Sequence, residues 1–117
     1  VLSETGRYSE AVDALKNALK IKPDEVEIKY HLGAALIQTK RYDEAVKVYK
    51  SVLKEKSADS ELYYNLATVY GLMKKNDIAI DNLKRALQLD QGLKKDARTN
   101  RAFDGIRYTQ AFRELVS

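Results

Sequence analysis

The feature that most constrains this chain is an internal repeat, because the sequence matches itself when it is shifted by 34 residues. Identical residues that coincide at this shift are Ala11, Ala45, Ala79, Leu19, Leu53 and Leu87. A fixed period of this length is typical of stacked helix pairs, since each unit buries its apolar face only against its neighbours. The repeat therefore predicts a helical array rather than a fold with one central core.

Inside each unit, apolar residues return every three or four positions. Ala11, Leu15, Ala18 and Leu19 share one face of a helix. The small residues in this stripe let a neighbouring helix approach closely, and the larger ones fill the space beside it. We predict helices over about 8–22, 25–39, 42–56, 60–73 and 76–90. The predicted capping residues or first-turn acids are Asp24, Asp43, Ser60 and Asp77.

The period and the residue pattern resemble the tetratricopeptide repeat. The matching positions of the second unit are Leu32, Gly33, Leu36, Tyr42, Ala45, Tyr49 and Leu53. Those of the third unit are Tyr63, Leu66, Ala67, Tyr70, Ala79, Leu83, Ala86 and Leu87. Lys29 stands where the family favours tryptophan. The resemblance implies an all-α fold, a solenoid of antiparallel helix pairs in a right-handed superhelix.

The repeat fades near the carboxyl end, where a different segment is predicted. Asn100 stands in the register of Leu32 and Leu66, so we do not expect a full fourth unit. Apolar anchors at helical spacing predict two short capping helices that cover the last repeat: Phe103, Ile106, Phe112 and Leu115. Asn100 and Thr109 are the predicted caps of these stretches. The segment resembles the closing segment of bacterial tetratricopeptide arrays.

These observations divide the chain into four parts. Residues 1–93 hold the tetratricopeptide repeats, with a partial repeat over 1–25 and complete repeats over 26–59 and 60–93. Residues 94–117 form the C-terminal capping helices.

The resemblance also implies where a partner binds, because the family's ligands lie in a concave groove lined by the first helix of each pair. The groove positions carried over from the second unit are Glu27, Tyr30, Ala34, Ile37 and Gln38. Those carried over from the third unit are Glu61, Tyr64, Asn65, Thr68, Gly71 and Leu72. Tyr30 and Tyr64 are predicted to form an aromatic ladder, and the alternative is that one or both pack between helices. The predicted function is a scaffold or adaptor that binds a peptide or protein.

Catalytic chemistry finds no support in the residue inventory. The sequence has no cysteine, and His31 is its only histidine. A lone histidine lacks the companions that a metal site or a general base requires. Phosphate-binding glycine loops and nucleophile elbows are absent from the sequence. We therefore expect no enzyme activity, no metal, no cofactor and no small-molecule substrate.

A second function class rests on the basic end of the chain. Residues 94–117 hold six Lys and Arg against three Asp and Glu. Basic residues interleaved with Phe103, Tyr108 and Phe112 could bind nucleic acid or an acidic partner surface. We rank this below groove binding, because the phenylalanines fit buried anchors and a net charge of +4 is mild for a nucleic-acid binder.

The sequence leaves the compartment open. No apolar run approaches the roughly 20 residues that span a bilayer, so we expect no membrane insertion and favour a soluble, cytoplasmic protein. The chain begins at Val1 without methionine, which suggests a piece of a longer protein that could carry a signal or an anchor upstream.

In such a piece Leu15 and Leu19 lack most of a preceding helix, which predicts self-association at this end. Light scattering over a range of concentrations tests that prediction.

The alanine periodicity generates a first prediction. Ala45→Leu or Ala79→Leu should lower the free energy of unfolding by roughly 1–3 kcal/mol, because a larger side chain overfills a helix crossing. Urea denaturation of each variant measures the effect. Unchanged denaturation midpoints would show that the packing assignment is wrong.

Overall fold

The computed structural model describes residues 4–55 and 59–117. Its helices are α1 Glu4–Ile21, α2 Val26–Gln38, α3 Tyr42–Glu55, α4 Ser60–Leu72, α5 Asn76–Leu89, α6 Lys94–Thr99 and α7 Gln110–Val116. Single 3-10 turns cover Gln91–Leu93 and Arg101–Phe103. The described residues contain no strand. The predicted all-α class built of helix pairs, with a C-terminal helical cap, is confirmed.

Most helix bounds agree with the predicted ones to within one residue. The exception is α1, which begins four residues before the predicted start at residue 8, so Gly6 does not interrupt it. The predicted end of the third helix, residue 56, lies outside the described residues.

The chain forms two compact units, Val1–Glu55 and Lys56–Ser117. In the first unit α2 packs against both α1 and α3. In the second unit α4 pairs with α5, the 3-10 turn Arg101–Phe103 rests on α4, and α7 contacts α5 and α6. The repeat boundaries deduced from the sequence stay a prediction.

Alanine and glycine set the spacing between paired helices. Ala45, Ala79 and Ala86 are fully buried, in keeping with a close approach of the helices around them. A Cβ built on Gly33 would lie 2.6 Å from Tyr49 Cε1. The Tyr49 ring of α3 therefore packs directly on the backbone of α2 at Gly33. The glycine is therefore needed for packing, because any larger residue would push the Tyr49 ring away.

The turns that join α2 to α3 and α4 to α5 have the same backbone geometry. Lys40 has a φ of 62° and Lys74 a φ of 65°, both in the left-handed region. The Arg41 N–H donates to the Leu36 carbonyl at 2.8 Å, and the Lys75 N–H donates to Tyr70 at 3.0 Å. This is the Schellman arrangement, which normally places glycine at the left-handed residue.

The predicted helix caps were partly wrong. Ser60 is the first residue of α4, and the cap is Asp59, whose side chain accepts from the Glu61 N–H at 2.9 Å. The residue before α2 is Glu25 rather than Asp24, and its side chain makes no capping hydrogen bond. The predicted acids Asp43 and Asp77 do lie in first turns, where their negative charges interact favourably with the positive end of the helix dipole.

The two left-handed lysines generate a second prediction. Lys40→Gly or Lys74→Gly should raise the free energy of unfolding by up to about 1 kcal/mol, because glycine removes the steric cost of this conformation. Urea denaturation measures the change. Lys40→Ala and Lys74→Ala are the controls, since each removes the charge and keeps the Cβ. Alanine variants that match or exceed the glycine variants in stability would contradict the assignment.

Candidate partner-binding faces

The face of α4 that carries the predicted groove residues lies against the C-terminal segment of the same unit. The Tyr64 hydroxyl donates a hydrogen bond to Asp96 Oδ2. Asn100 Nδ2 donates to Tyr64 Oη at 3.1 Å. The Tyr64 ring meets the Phe103 ring edge to face, with 5.9 Å between centroids. Only 9% of Tyr64 is exposed, so its polar tip is engaged by the chain itself.

Two further groove positions on α4 also face this segment. Thr68 Oγ1 lies 3.5 Å from Asn100 Nδ2, at the outer limit of a hydrogen bond. A Cβ built on Gly71 would lie 2.5 Å from the Ala102 carbonyl oxygen and 3.3 Å from Phe103 Cδ1. Gly71 thus lets the backbone of the capping segment approach α4 directly.

The capping segment meets α4 in the register of the repeat. Asp96 and Asn100 stand one 34-residue period after Leu62 and Leu66, which are almost fully buried. The chain therefore begins another first helix in phase, with a carboxylate and an amide in place of two leucines. Polar contacts to Tyr64 replace the apolar packing that the leucines would supply.

The environment of Tyr64 keeps its hydroxyl protonated. Burial raises the pKa of Tyr64, and the Asp96 carboxylate raises it further, while the hydrogen bond from Asn100 lowers it. Both effects disfavour the negatively charged phenolate, burial because it removes the charge from water and Asp96 because like charges repel. The hydroxyl thus remains a donor to Asp96 at neutral pH.

The corresponding face of α2 in the first unit is more open. Glu27, Ala34 and Gln38 are exposed, and Tyr30 and Ile37 are half-buried. The Tyr30 ring lies 6.3 Å from the Tyr49 ring, with an angle of 50° between the planes. Tyr30 therefore contacts Tyr49 and stays half-buried, in contrast to the buried Tyr64.

The other predicted groove residues have varied surroundings. Glu61 is exposed, and Asn65 and Leu72 are half-buried. The aromatic ladder of Tyr30 and Tyr64 would span both units and stays a prediction.

Half of the basic residues at the carboxyl end hold the capping segment together. Arg98 Nε donates to the Val116 carbonyl at 2.8 Å, and Lys94 Nζ donates to the Ser117 carbonyl at 3.2 Å. Arg107 Nη2 donates to the Asn100 carbonyl and to Asp104 Oδ1, each at 2.8 Å. Three of the six basic residues in this stretch therefore serve as internal donors.

The predicted apolar anchors of the cap are mostly buried. Phe103, Ile106 and Phe112 are each no more than 2% exposed, whereas Leu115 is only half-buried and its neighbour Val116 is buried. Thr109 caps α7 by accepting from the Phe112 N–H, as predicted. Tyr108, at 79% exposure, is the aromatic of this segment that faces solvent. The nucleic-acid hypothesis thereby loses two of its three stacking rings.

The contacts of Asp96 and Asn100 with α4 were not foreseen. The 34-residue register already aligned Asn100 with Leu66, and extending it by four residues toward the amino end would have aligned Asp96 with Leu62. Both polar residues could then have been placed on the face of α4 that carries Tyr64.

Comparisons with known proteins agree with the repeat and the helix pairs. Tetratricopeptide repeat models match residues 2–70 and 60–92, and the chain belongs to the tetratricopeptide repeat family. The MamA 41-end structure from Desulfovibrio magneticus RS-1 is similar, with 26% identity and a TM-score of 0.75 over 97% of this chain and 67% of that one. The MamA RS-1 ArsTM double mutant is also similar, with 24% identity and a TM-score of 0.72 over 97% of this chain and 68% of that one. No curated protein matched the sequence.

The family and the fold support a general role as a protein–protein interaction scaffold, a class that is typically non-enzymatic. Within residues 4–55 and 59–117, none of the helices has the length and apolarity needed to cross a bilayer. The same residues bring together no group of three His, Asp or Glu side chains suited to a metal ion.

The close approach at Gly71 generates a third prediction. Gly71→Ala should lower the free energy of unfolding by roughly 1–3 kcal/mol, because the added methyl meets the Ala102 carbonyl, a backbone atom that yields with difficulty. Gly105→Ala is the matched control, since a Cβ there would lie an ordinary 3.8 Å from Asn76 Oδ1. Chemical denaturation compares the two, and equal midpoints would count against the docked position of the cap.

Proposed function

We propose that the chain binds a peptide segment of a protein partner on the face of α2. The observation that carries this proposal is the difference between two equivalent helix faces. On α4 the chain's own Asp96 and Asn100 engage the groove tyrosine, whereas on α2 the positions around Tyr30 remain exposed or half-buried. The exposed Glu27, Ala34 and Gln38 give this face accessible surface for a ligand.

The residues on this face suit a mixed apolar and polar ligand. Tyr30, Ala34 and Gln38 follow one another at intervals of four, which spans about 12 Å along the helix. That length matches about four residues of an extended peptide. Tyr30 offers a ring that contacts Tyr49, and Ala34 is a small exposed side chain one helical turn away.

The ends of this face define the polar requirements. Glu27 favours a basic group on the ligand, and Gln38 offers both a donor and an acceptor to a peptide backbone. We therefore propose a ligand with one aliphatic or aromatic side chain for Tyr30 and Ala34, and a Lys or Arg near the end that meets Glu27. Burying the apolar side chain on a rigid aromatic surface supplies most of the affinity.

A fourth prediction tests this proposal with a random peptide library displayed on phage. Peptides selected on the parent chain should lose about tenfold or more in affinity for Ala34→Arg, because a long cation would occupy the space next to Tyr30 where the ligand is proposed to lie. Ala14→Arg is the matched control, since Ala14 is an exposed alanine on α1 of the same unit. Fluorescence anisotropy of labelled peptides measures both affinities.

Peptides that bind both arginine variants equally, or a library that yields no enrichment over an unrelated protein, would contradict the proposal. The salt dependence separates it from the rival function. Binding to the α2 face should change little between 50 and 200 mM salt, whereas phosphate binding weakens steeply over such a range.

The rival function keeps one supporting observation. Lys95, Arg101 and Arg113 are exposed on the capping segment together with Tyr108. These groups could contact an acidic surface or a single-stranded nucleic acid. It remains the second candidate because the buried rings of Phe103 and Phe112 leave little aromatic surface for stacking.

A further inference from the structure

We infer that residues 94–100, the α6 strap, form a displaceable internal ligand of α4, and that the face beneath the strap accepts a peptide with carboxylate and amide side chains four residues apart. The strap itself shows which chemistry fits this face. Asp96 accepts from the Tyr64 hydroxyl, and Asn100 donates to the same oxygen. This face belongs to α4 alone, and the inference holds whether or not α2 binds a partner.

The strap is fastened mainly by polar contacts. Ala97 is its only buried side chain, and Asp96 and Asn100 are exposed and half-buried. A helix of six residues is far too short to be stable by itself. Exchanging hydrogen bonds to Tyr64 for hydrogen bonds to water or to a competing peptide therefore costs little free energy.

The residues that follow the strap are fastened differently. Phe103, Ile106 and Phe112 are buried apolar side chains, and the Phe103 and Phe112 rings lie 5.8 Å apart. Releasing them would expose large apolar surfaces to water, which is costly. The strap can thus open while the rest of the capping segment stays docked.

Both ends of the strap permit such a movement. The preceding turn contains the exposed Gly92, and Asn100, the last residue of the strap, has an extended conformation. Opening must also break the exposed hydrogen bonds of Lys94 with Ser117 and of Arg107 with the Arg98 carbonyl. The hydrogen bonds of Arg98 with Val116 and of Arg107 with the Asn100 carbonyl are partly buried and must break as well. Each hydrogen bond of this kind contributes modestly to stability, because water takes over the released groups.

Beneath the strap, α4 presents groups that suit a competing ligand. Tyr64 and Thr68 carry hydroxyls one helical turn apart, and each hydroxyl both donates and accepts. Side chains four residues apart on a helical ligand have the same spacing, as Asp96 and Asn100 have in the strap. A partner segment with an acid and an amide at this spacing would reproduce the internal contacts.

Hydrogen exchange on the full-length chain tests the displaceable strap. In the parent, amides of residues 97–100 should exchange at least about tenfold faster than those of residues 112–116 in α7. Asp96→Ala combined with Asn100→Ala should accelerate the strap amides further and leave α7 unchanged. The matched control, Lys95→Ala combined with Thr99→Ala, alters two exposed positions four residues apart on the same helix and should behave as the parent.

A synthetic peptide with the sequence of residues 93–100 tests the binding chemistry. It should bind the Asp96→Ala, Asn100→Ala chain at least about tenfold more tightly than the parent, measured by fluorescence anisotropy. Tyr64→Phe keeps the ring against Phe103 and removes the hydroxyl, so this variant should open the strap and fail to bind the peptide.

Three results would overturn the inference. Strap and α7 amides that exchange together in the parent would show that the capping segment opens only as a whole. Equal peptide affinity for the parent and the double variant would show that the strap does not compete for α4. Undiminished binding to Tyr64→Phe would place the peptide elsewhere. The parent exchange measurement needs no substitution, so it decides the first point even if the double variant fails to fold.

Discussion

Close approach of paired helices at alanine and glycine is the constraint on which the rest of this structure depends. Gly33 lets α2 touch the Tyr49 ring of α3, and Ala79 is fully buried in α5. Because such contacts require small residues at fixed positions, they recur with the 34-residue period and fix which faces of each helix are left for other contacts. The exposed face of α2 and the face of α4 that carries Tyr64 are the consequence of this packing.

The segment that covers the Tyr64 face of α4 contacts it through polar side chains instead of the leucines of the repeat. The chain keeps the repeat register for one more short helix and replaces two leucines by Asp96 and Asn100. These side chains form hydrogen bonds with the Tyr64 hydroxyl and do not offer the apolar surface on which another repeat would stack. The buried Phe103 anchors the following turn. The repeat thus ends in a polar contact and an apolar anchor side by side, and their different strengths underlie the displaceable strap.

Sequence reasoning predicted the helices, the buried alanines and most cap anchors, because these follow from local periodicity. It did not predict the left-handed Lys40 and Lys74, since lysine gives no sign of a conformation that glycine usually adopts. Nor did it foresee that Tyr64 is engaged by Asp96, a contact between residues 32 positions apart in sequence. That distant contact decides that Tyr64 is covered while the equivalent Tyr30 stays half-buried. The family pattern could therefore propose the groove residues, but it could not order them by their accessibility to a ligand.

The proposals for both faces depend on the difference between a partly accessible Tyr30 and an equivalent Tyr64 that is covered. Hydroxyl-radical footprinting with residue-level mass spectrometry tests it directly, because the rate of oxidation follows the solvent exposure of each ring. Tyr108 and Tyr49 supply the internal limits at 79% and 1% exposure. We predict that Tyr30 reacts at a rate between these limits and that Tyr64 reacts nearly as slowly as Tyr49. A Tyr64 rate equal to or greater than that of Tyr30 would contradict the account.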